Sequence, residues 1–418
     1  MNSVPDASAK ILAGIRPLDT ERVPLAEARG RVLAEKVVSP ITIPAWDNSA
    51  MDGYAVRAAD VAGASERAPK TLRVLERVAA GAFPTKRVEP GTATRIMTGA
   101  PIPEGADTVI RVEDSDGAMD RVAIRSDRDN NKNVRRRGED IHAGDTVLDA
   151  GAPLSAAQLG VLSSVGAREV AVYRRPRVAF MASGDEVVDL DRFDEVRAGK
   201  KIVTSNSYTL AALIAANGGI PIDLGIARDD PEDIRARLLR GIEERADLIL
   251  TSAGISAGEY DYVRTVLADL GVTLDLWKVR MRPGAPLGYG RLYDVPWIGL
   301  PGNPVSTMVT FELFVRPVLR RMQGHARLHR RPVRVVLEEP VTIGAKLTHF
   351  LRAIVSVRAD GSLAARLTGP QGSGILTSMT RANALLVVPE DRPRVEAGES
   401  LNAIPITEDA ALAEQFAL

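Results

Sequence analysis

The stretch 246–270, ADLILTSAGISAGEYDYVRTVLADL, decides the fold. Leu248, Ile249 and Leu250 form a short apolar run of strand type. Val263, Val266, Leu267 and Leu270 then recur at the i, i+3, i+4, i+7 spacing of one helix face. Between them lies TSAGISAGEYD, a loop nearly bare of side chains and longer than a turn requires. A buried strand that feeds a small-residue loop and then a helix is a repeating unit of an α/β sheet.

The same rhythm runs outward on both sides. RVAFMAS (177–183) reads as a strand, YTLAALIAANGG (208–219) as a helix ended by glycines, and IPIDLGIA (220–227) as a strand. In the next helix Asp230 stands as N-cap and Pro231 at the first helical position, and Ile234, Leu238 and Ile242 share a face. VPWIGLPGNPVSTMVTFELFVRPVLRRM (295–322) closes the series with strand, turn and helix. The spacing predicts a mainly parallel sheet with helices on both faces.

The flanks are different. Residues 8–38 read as helical, with runs ASAKILAGI and LAEARGRVLAEKV parted by Pro and Asp. From SPITIPAWDNSAMDGYAV to about residue 148, short β-type runs alternate with Pro/Gly turns, as in a compact all-β insert. Residues 153–172 hold a short helix and a bridging strand. Beyond the basic linker RLHRRP, residues 333–406 are strand-like again, with a hairpin at Asp360-Gly361. The expected fold class is therefore a multidomain α/β protein. Residues 1–43 with 149–176 form a helical linker domain, and 44–148 the β insert. Residues 177–328 form the parallel-sheet α/β domain, and 329–418 a C-terminal β-barrel-like domain.

Composition narrows the function. The 54 basic residues balance 54 acidic ones, which argues against nucleic acid or an anionic membrane as the main partner. No segment reads as a signal peptide or a membrane span, so a cytoplasmic protein is expected. The absence of cysteine excludes disulfides, thiolate nucleophiles and Cys-ligated metal centres. Of four histidines only His325 and His329 have a metal-like spacing, and they read as a solvated linker.

Ligands of α/β sheets bind at the carboxyl ends of the strands. There Gly254 and Gly258 let a backbone approach closely, Ser252 and Ser256 offer hydroxyls, and the following helix offers free N–H groups, a phosphate cradle. The same loop also reads as a tight strand–helix turn. Glu259 and Asp261 would repel a bare phosphate, which points to phosphate held with Mg²⁺. Ser183-Gly184-Asp185-Glu186, Asp229-Asp230 and Pro301-Gly302-Asn303-Pro304, with Asn303 as a helix cap, fall at other strand ends. Each alone is a cap or turn; four together on one sheet edge point to a site. Asp52, Thr98, Glu139 and Asp140 are polar candidates in the β insert, where Arg135-Arg136-Arg137 suits an anion or solvent. KVRMRPGAP adds Lys278, Arg280 and Arg282, with Lys278 beside a Trp in an expected strand.

In fixed order the chain carries NSAMDGYAV, MTGAPIPEGADTVI, RRRGEDI, SGDEV, SNSYTLAALI, TSAGISAGEYDY, RPGAP and GLPGNPVS. That series resembles the molybdopterin molybdenumtransferase family, the MoeA-type bacterial enzymes related to the C-terminal domain of gephyrin, over nearly the whole chain. The resemblance implies the last step of molybdenum cofactor assembly. Adenylylated molybdopterin is bound, molybdate enters at its dithiolene sulfurs, and AMP is released by hydrolysis with Mg²⁺. It also implies an elongated four-domain homodimer, with the active site between the α/β domain of one subunit and the β insert of the other. Implied partners are the adenylyltransferase that supplies the substrate and apo-molybdoenzymes.

By motif, the resemblance carries functional roles onto Asp52, Thr98, Asp140, Glu186, Asp229, Asp261, Lys278 and Arg282. Glu186, Asp229 and Asp261 are the implied Mg²⁺ ligands; Lys278 and Arg282 would neutralise phosphate or molybdate. The chain departs from the family pattern at three places. Ala253-Gly254 stands for Gly-Gly, Arg282 for a common Lys, and Ala285 for the Lys of PGKP. These departures keep two alternatives open, a non-catalytic molybdopterin-binding scaffold or carrier and a tungstate-selective paralogue. An adenylyltransferase built on the α/β domain would leave the β insert unexplained.

Overall fold

The computed structural model describes residues 1–254 and 262–407. The chain divides into two compact units, one of Met1–Ala34, Gly151–Leu154 and Glu169–Leu418, the other of Glu35–Ala150 and Ser155–Arg168.

The first unit holds the expected α/β layer. In chain order it consists of β1 Arg177–Ser183, α1 Ser205–Ala216, β2 Ile220–Ala227, α2 Pro231–Glu243, β3 Leu248–Ser252 and α3 Tyr262–Asp269. It continues with β4 Leu274–Lys278, β5 Pro286–Leu292, β6 Val295–Leu300 and α4 Pro304–Thr310. The sheet order is β2-β1-β3-β6-β5-β4. The first four strands are parallel, while β5 and β4 run antiparallel as a hairpin extension, so the sheet is mixed at one side. Strand alternation splits its residues between two cores. Phe180, Leu250 and Ile298 pack with α1 and α4 on one face; Ala179, Ile249 and Trp297 pack with α2 and α3 on the other. Each fully buried Leu, Ile or Phe contributes about 1.5–3 kcal/mol, so both faces hold the layer. Asp230 caps α2 through the Glu232 amide, with Pro231 at the first position, as the sequence predicts.

Five strands close a barrel after this layer: β7 Val333–Leu337, β8 Thr348–Val357, β9 Leu363–Leu367, β10 Ala384–Val388 and β11 Ser400–Pro405. The order β8-β9-β7-β11-β10 returns to β8 through a β8–β10 pairing, which leaves no free edge. Gly361, at φ +80°, sits in the β8–β9 hairpin at the expected place. The two-residue strand Met281–Arg282 pairs in parallel with the start of β8.

The N-terminal region corrects the helical reading. One helix forms, Val4–Ala13, but residues 25–37 do not continue as a second. Only a 3₁₀ turn, Leu25–Glu27, appears before Gly30 at φ +77° breaks the chain direction. Val32 and Leu33 are buried by bridging to Pro153 and Val172 instead, and Thr20–Pro24 pairs with Glu169–Tyr173. Tertiary pairing has overridden a helical pattern. The histidine linker is also less solvated than expected. His325 is half-buried with Nδ1 3.2 Å from Arg320, and burial lowers its pKa to about 4.

In the second unit, five strands lie in the order Thr108–Arg111, Gly53–Val56, Thr92–Ile96, Lys70–Val78, Arg121–Ile124. Tyr54, Ile110 and Val122 fill one face. Among the described residues no helix is long and apolar enough to cross a membrane.

Candidate active site

Because β1, β3 and β6 are parallel neighbours, their carboxyl ends emerge side by side. The loops that follow enclose a cavity of about 590 Å³, within the range of small-molecule sites. Ser183 and Glu186 come from the first loop, Ser252, Ala253 and Gly254 from the second, and Pro301, Gly302, Asn303 and Pro304 from the third. Eight of the residues singled out from sequence thus meet in one place: Ser183, Glu186, Ser252, Gly254 and Pro301 through Pro304. Ser256, Gly258, Glu259 and Asp261 lie outside the described residues.

The cavity has a fourth wall that the sequence reading missed. Thr204, Ser205 and Asn206 begin α1 there and present the positive end of its dipole. Asn206 is buried, and its Nδ2 donates to Ser252 Oγ at 2.6 Å and to the Gly302 carbonyl at 2.7 Å, pinning two loops together. Its Oδ1 is buried and, among the described residues, has no hydrogen-bond partner. An Asn in the first turn of an otherwise apolar helix was the available signal.

The third loop is held from below. Thr307 Oγ1 donates to the Pro301 carbonyl at 2.6 Å and to the Asn303 carbonyl at 3.1 Å. Asn303 occupies the N-cap position of α4 but makes no side-chain capping bond, contrary to the sequence expectation. Thr307 secures that turn, so the amide of Asn303 is left exposed at the cavity.

Ala253 and Gly254 both have left-handed backbones, at φ +76° and +72°. Only glycine adopts that region freely, so Ala253 carries backbone strain.

The acids separate into two settings. Glu186 lines the cavity, and its carboxylate folds over Gly184, where a Cβ would lie 2.7 and 2.8 Å from the two oxygens. Among the described residues no hydrogen bond or ion pair reaches that carboxylate. Asp229 lies in the loop after β2. Its carboxylate accepts from the Asp185 amide at 3.2 Å, and Asp185 returns the bond to the Asp229 amide at 3.2 Å. Gly184 lines a neighbouring hollow with Asp185 and Arg228, and Asp229 lines neither.

Lys278 and Arg282 part company. Lys278 ends β4 as the register partner of Pro286, which lines the main cavity. Arg282 instead lines a second cavity of about 500 Å³ against the barrel, with His349, Arg352 and Ser373.

In the second unit, strand pairing of Gly53 with Ile96 brings Asp52 beside Thr98. The Thr98 amide and Oγ1 both donate to Asp52 Oδ1 at 2.7 Å, and these bonds hold the carboxyl below its ordinary pKa. Asp140 is exposed, its amide bonded to the Ile43 carbonyl at 3.2 Å, and no recorded contact joins it to Asp52. Of the three arginines at 135–137, Arg136 is ion-paired with Asp47 at 2.7 Å. Among the described residues no three acidic or histidine side chains cluster tightly enough to hold a metal unaided.

Family models match the chain in three consecutive parts. They are the MoeA N-terminal region (domain I and II) over residues 2–166, the probable molybdopterin binding domain over 179–321, and the MoeA C-terminal region (domain IV) over 334–406. Molybdopterin molybdenumtransferase 2 of Mycobacterium tuberculosis is 40% identical over 96% of this chain and 97% of its own length. The chain belongs to the molybdopterin molybdenumtransferase family. The Haemophilus influenzae molybdopterin molybdenumtransferase is 34% identical over 97% of this chain and 98% of its own. The crystal structure of the molybdopterin biosynthesis moeA protein of Pyrococcus horikoshii superposes with a TM-score of 0.82 at 30% identity, covering 97% of this chain and all of that one. The loops of the main cavity fall within the family's molybdopterin-binding part.

Proposed function

We propose that this chain is a molybdenum insertase. It binds adenylylated molybdopterin, inserts molybdate at the dithiolene sulfurs and releases AMP. The observation that carries the reading is the convergence of three strand-end loops and the start of α1 on one polar cavity, in a chain of this family. Water cleaves the phosphoanhydride bond; one phosphate leaves in AMP and the other stays on the pterin. The orphan Asn206 Oδ1 offers an acceptor to a ligand N–H, and the left-handed 253–254 backbone allows close approach.

The donor set fits Mg²⁺ in part. Glu186 supplies an unpaired hard oxygen donor, Asp229 is bonded to the adjacent Asp185, and Mg²⁺ usually takes one or two carboxylates with phosphate oxygens and waters. Glu186, Asp229 and Asp261 would hold the ion, which supplies charge neutralisation on the diphosphate. Asp52, Thr98 and Asp140 belong to the same reaction through the second unit. Lys278 would neutralise phosphate, and we place molybdate in the second cavity beside Arg282, where no Asp or Glu is among the lining residues.

The same reading includes a cytoplasmic homodimer that receives substrate from an adenylyltransferase and passes cofactor to apo-molybdoenzymes. It retains the division into 1–43 with 149–176, 44–148, 177–328 and 329–418. Closure of the barrel from Val333 onward supports the last boundary.

The test is AMP release by the purified chain from adenylylated molybdopterin with Mg²⁺ and molybdate or tungstate, with sedimentation for the dimer. Oxyanion-dependent release establishes the insertase. Tight substrate binding with no release for either oxyanion would make the chain a scaffold, and release with tungstate alone a tungstate-selective paralogue.

A further inference from the structure

We propose that His349 is a ligand in the second cavity, taking up a proton when a tetrahedral dianion binds there. The inference rests on the placing of molybdate in that cavity. It concerns how this chain's own residues meet the charge.

The cavity is lined by Arg282, Arg352 and His349 with neutral residues. Arg352 is fully buried in the middle of β8. Its Nε donates to Ser378 Oγ at 3.0 Å and one Nη to the Gly372 carbonyl at 2.9 Å, yet among the described residues no carboxylate meets it. The other Nη is buried, and among the described residues it has no partner. Burial lowers its pKa to about 10, so it remains charged at neutral pH. A buried cation with an unused donor and no counter-ion is costly unless an anion completes it.

His349 lies opposite Arg282 in the strand register and is 5% exposed. Its Nδ1 lies 2.9 Å from the Leu347 carbonyl. A carbonyl only accepts, so Nδ1 carries the hydrogen and Nε2 of the neutral ring is left as an acceptor. Burial, with Arg282 adding to it, lowers the pKa, while the Leu347 bond opposes. The charged groups on the surrounding segments are Arg280, Glu339, Lys346, Arg366, Arg381, Glu390, Asp391 and Arg394. Glu390 is paired with Arg280 at 3.5 Å, Glu339 accepts from the Leu367 amide, and none of these lines the cavity. A neutral acceptor nitrogen opposes an oxyanion. Protonation turns it into a charged donor, and the dianion raises the ring's pKa in return.

The sign follows by linkage. Between the free and bound pKa values, affinity falls as pH rises, by about tenfold per pH unit. Calorimetry of molybdate binding to the full chain, from pH 6 to 8 in buffers of different ionisation enthalpy, reads the proton count directly. The expected result is uptake approaching one proton in the wild type and none in H349Q. R282Q should lose at least tenfold in affinity and serves as the site control. With only four histidines in the chain, the ring resonance missing in H349Q identifies His349, and that resonance should move to its protonated position on adding molybdate. Binding without proton uptake, or equal uptake in H349Q, overturns the proposal. No molybdate binding by the wild type would overturn the placing of the oxyanion as well, whereas binding unaffected by R282Q would locate it elsewhere.

Discussion

Replacing Ala253 by Gly should stabilise the α/β layer. Ala253 sits at φ +76°, where an L-residue other than Gly pays roughly 1–2 kcal/mol. Glycine also loses more freedom on folding, which returns about 0.5–1 kcal/mol of that relief. The net gain expected is about 0.5–1 kcal/mol. A second substitution makes the reasoning sharper. A Cβ added at Gly302 would lie 3.1 Å from the Ala253 Cβ and 3.6 Å from its Cα. Gly302 does not itself require a left-handed backbone, so that methyl contact is the one term against Gly302→Ala, and lost unfolded-chain freedom favours the substitution by about 0.4–1 kcal/mol. The contact term reaches about 1–3 kcal/mol only where the Ala253 methyl cannot yield. In Ala253→Gly the methyl is gone and the remaining neighbour is at ordinary contact distance, so the contact term should nearly vanish. Urea unfolding followed through tryptophan fluorescence, with the fully buried Trp297 inside this layer, measures all four corners of the cycle. Destabilisation of more than about 1 kcal/mol by Ala253→Gly would refute the strain argument, since it exceeds the glycine entropy term. An equal effect of Gly302→Ala in both backgrounds would refute the contact argument.

Three further outcomes follow from the site. Asn206→Ala leaves Ser252 Oγ and the Gly302 carbonyl without their donor and should cost about 1–3 kcal/mol by the same unfolding assay. Asn206→Asp should be worse, because it sets a second acceptor against that carbonyl; equal or greater stability would sink this account. Thr98→Ala removes the Oγ1 bond but keeps the larger amide one, so it should raise the Asp52 pKa only part of the way toward the ordinary carboxylate value. The Asp52 contribution is present above its unfolded value near pH 4 and lost as pH falls through the depressed folded value, so wild type and variant should differ at neutral pH and converge in acid. NMR titration of the Asp52 carboxyl checks the shift, and an unchanged titration would show the Oγ1 bond to be inconsequential beside the amide bond. Glu186→Gln should weaken Mg²⁺ binding to the substrate complex by at least tenfold; calorimetry showing equal affinity would remove Glu186 from the metal set.

Much of the α/β layer was legible because its signals are local. Apolar runs at 178–182 and 248–250 alternate with helices whose apolar spacing is 3.6, and Asp230-Pro231 marks a helix start chemically. Position at the strand ends then placed Ser183, Glu186, Ser252 and Gly302 in one cavity, since parallel neighbours must deliver their loops to the same edge. Residues 25–37 misled because Val32 and Leu33 carry helix-like spacing but find their burial across the chain, against segments more than a hundred residues away. No local pattern encodes that. Asn206 was missed for a related reason, since its two acceptors lie 46 and 96 residues downstream.

Arg282 shows what motif reading can and cannot carry. Its place beside Pro283 and Gly284 gives it, by resemblance, the implied role of a charge-neutralising cation, and sequence alone groups it with Lys278 four residues earlier. The structure divides them: β4 ends at Lys278 beside the main cavity, while the next two-residue strand leaves the sheet to pair with β8 of the barrel. One short hairpin thus serves two cavities from its two ends. Under the proposed function, phosphate and oxyanion are met by different cations, each in its own setting. Ala285 lies on that hairpin, with its carbonyl accepting from the Val279 amide at 2.9 Å. Under the same proposal no cation stands at 285 between the two cavities, and Arg282, the buried Arg352 and His349 would hold the oxyanion in this chain.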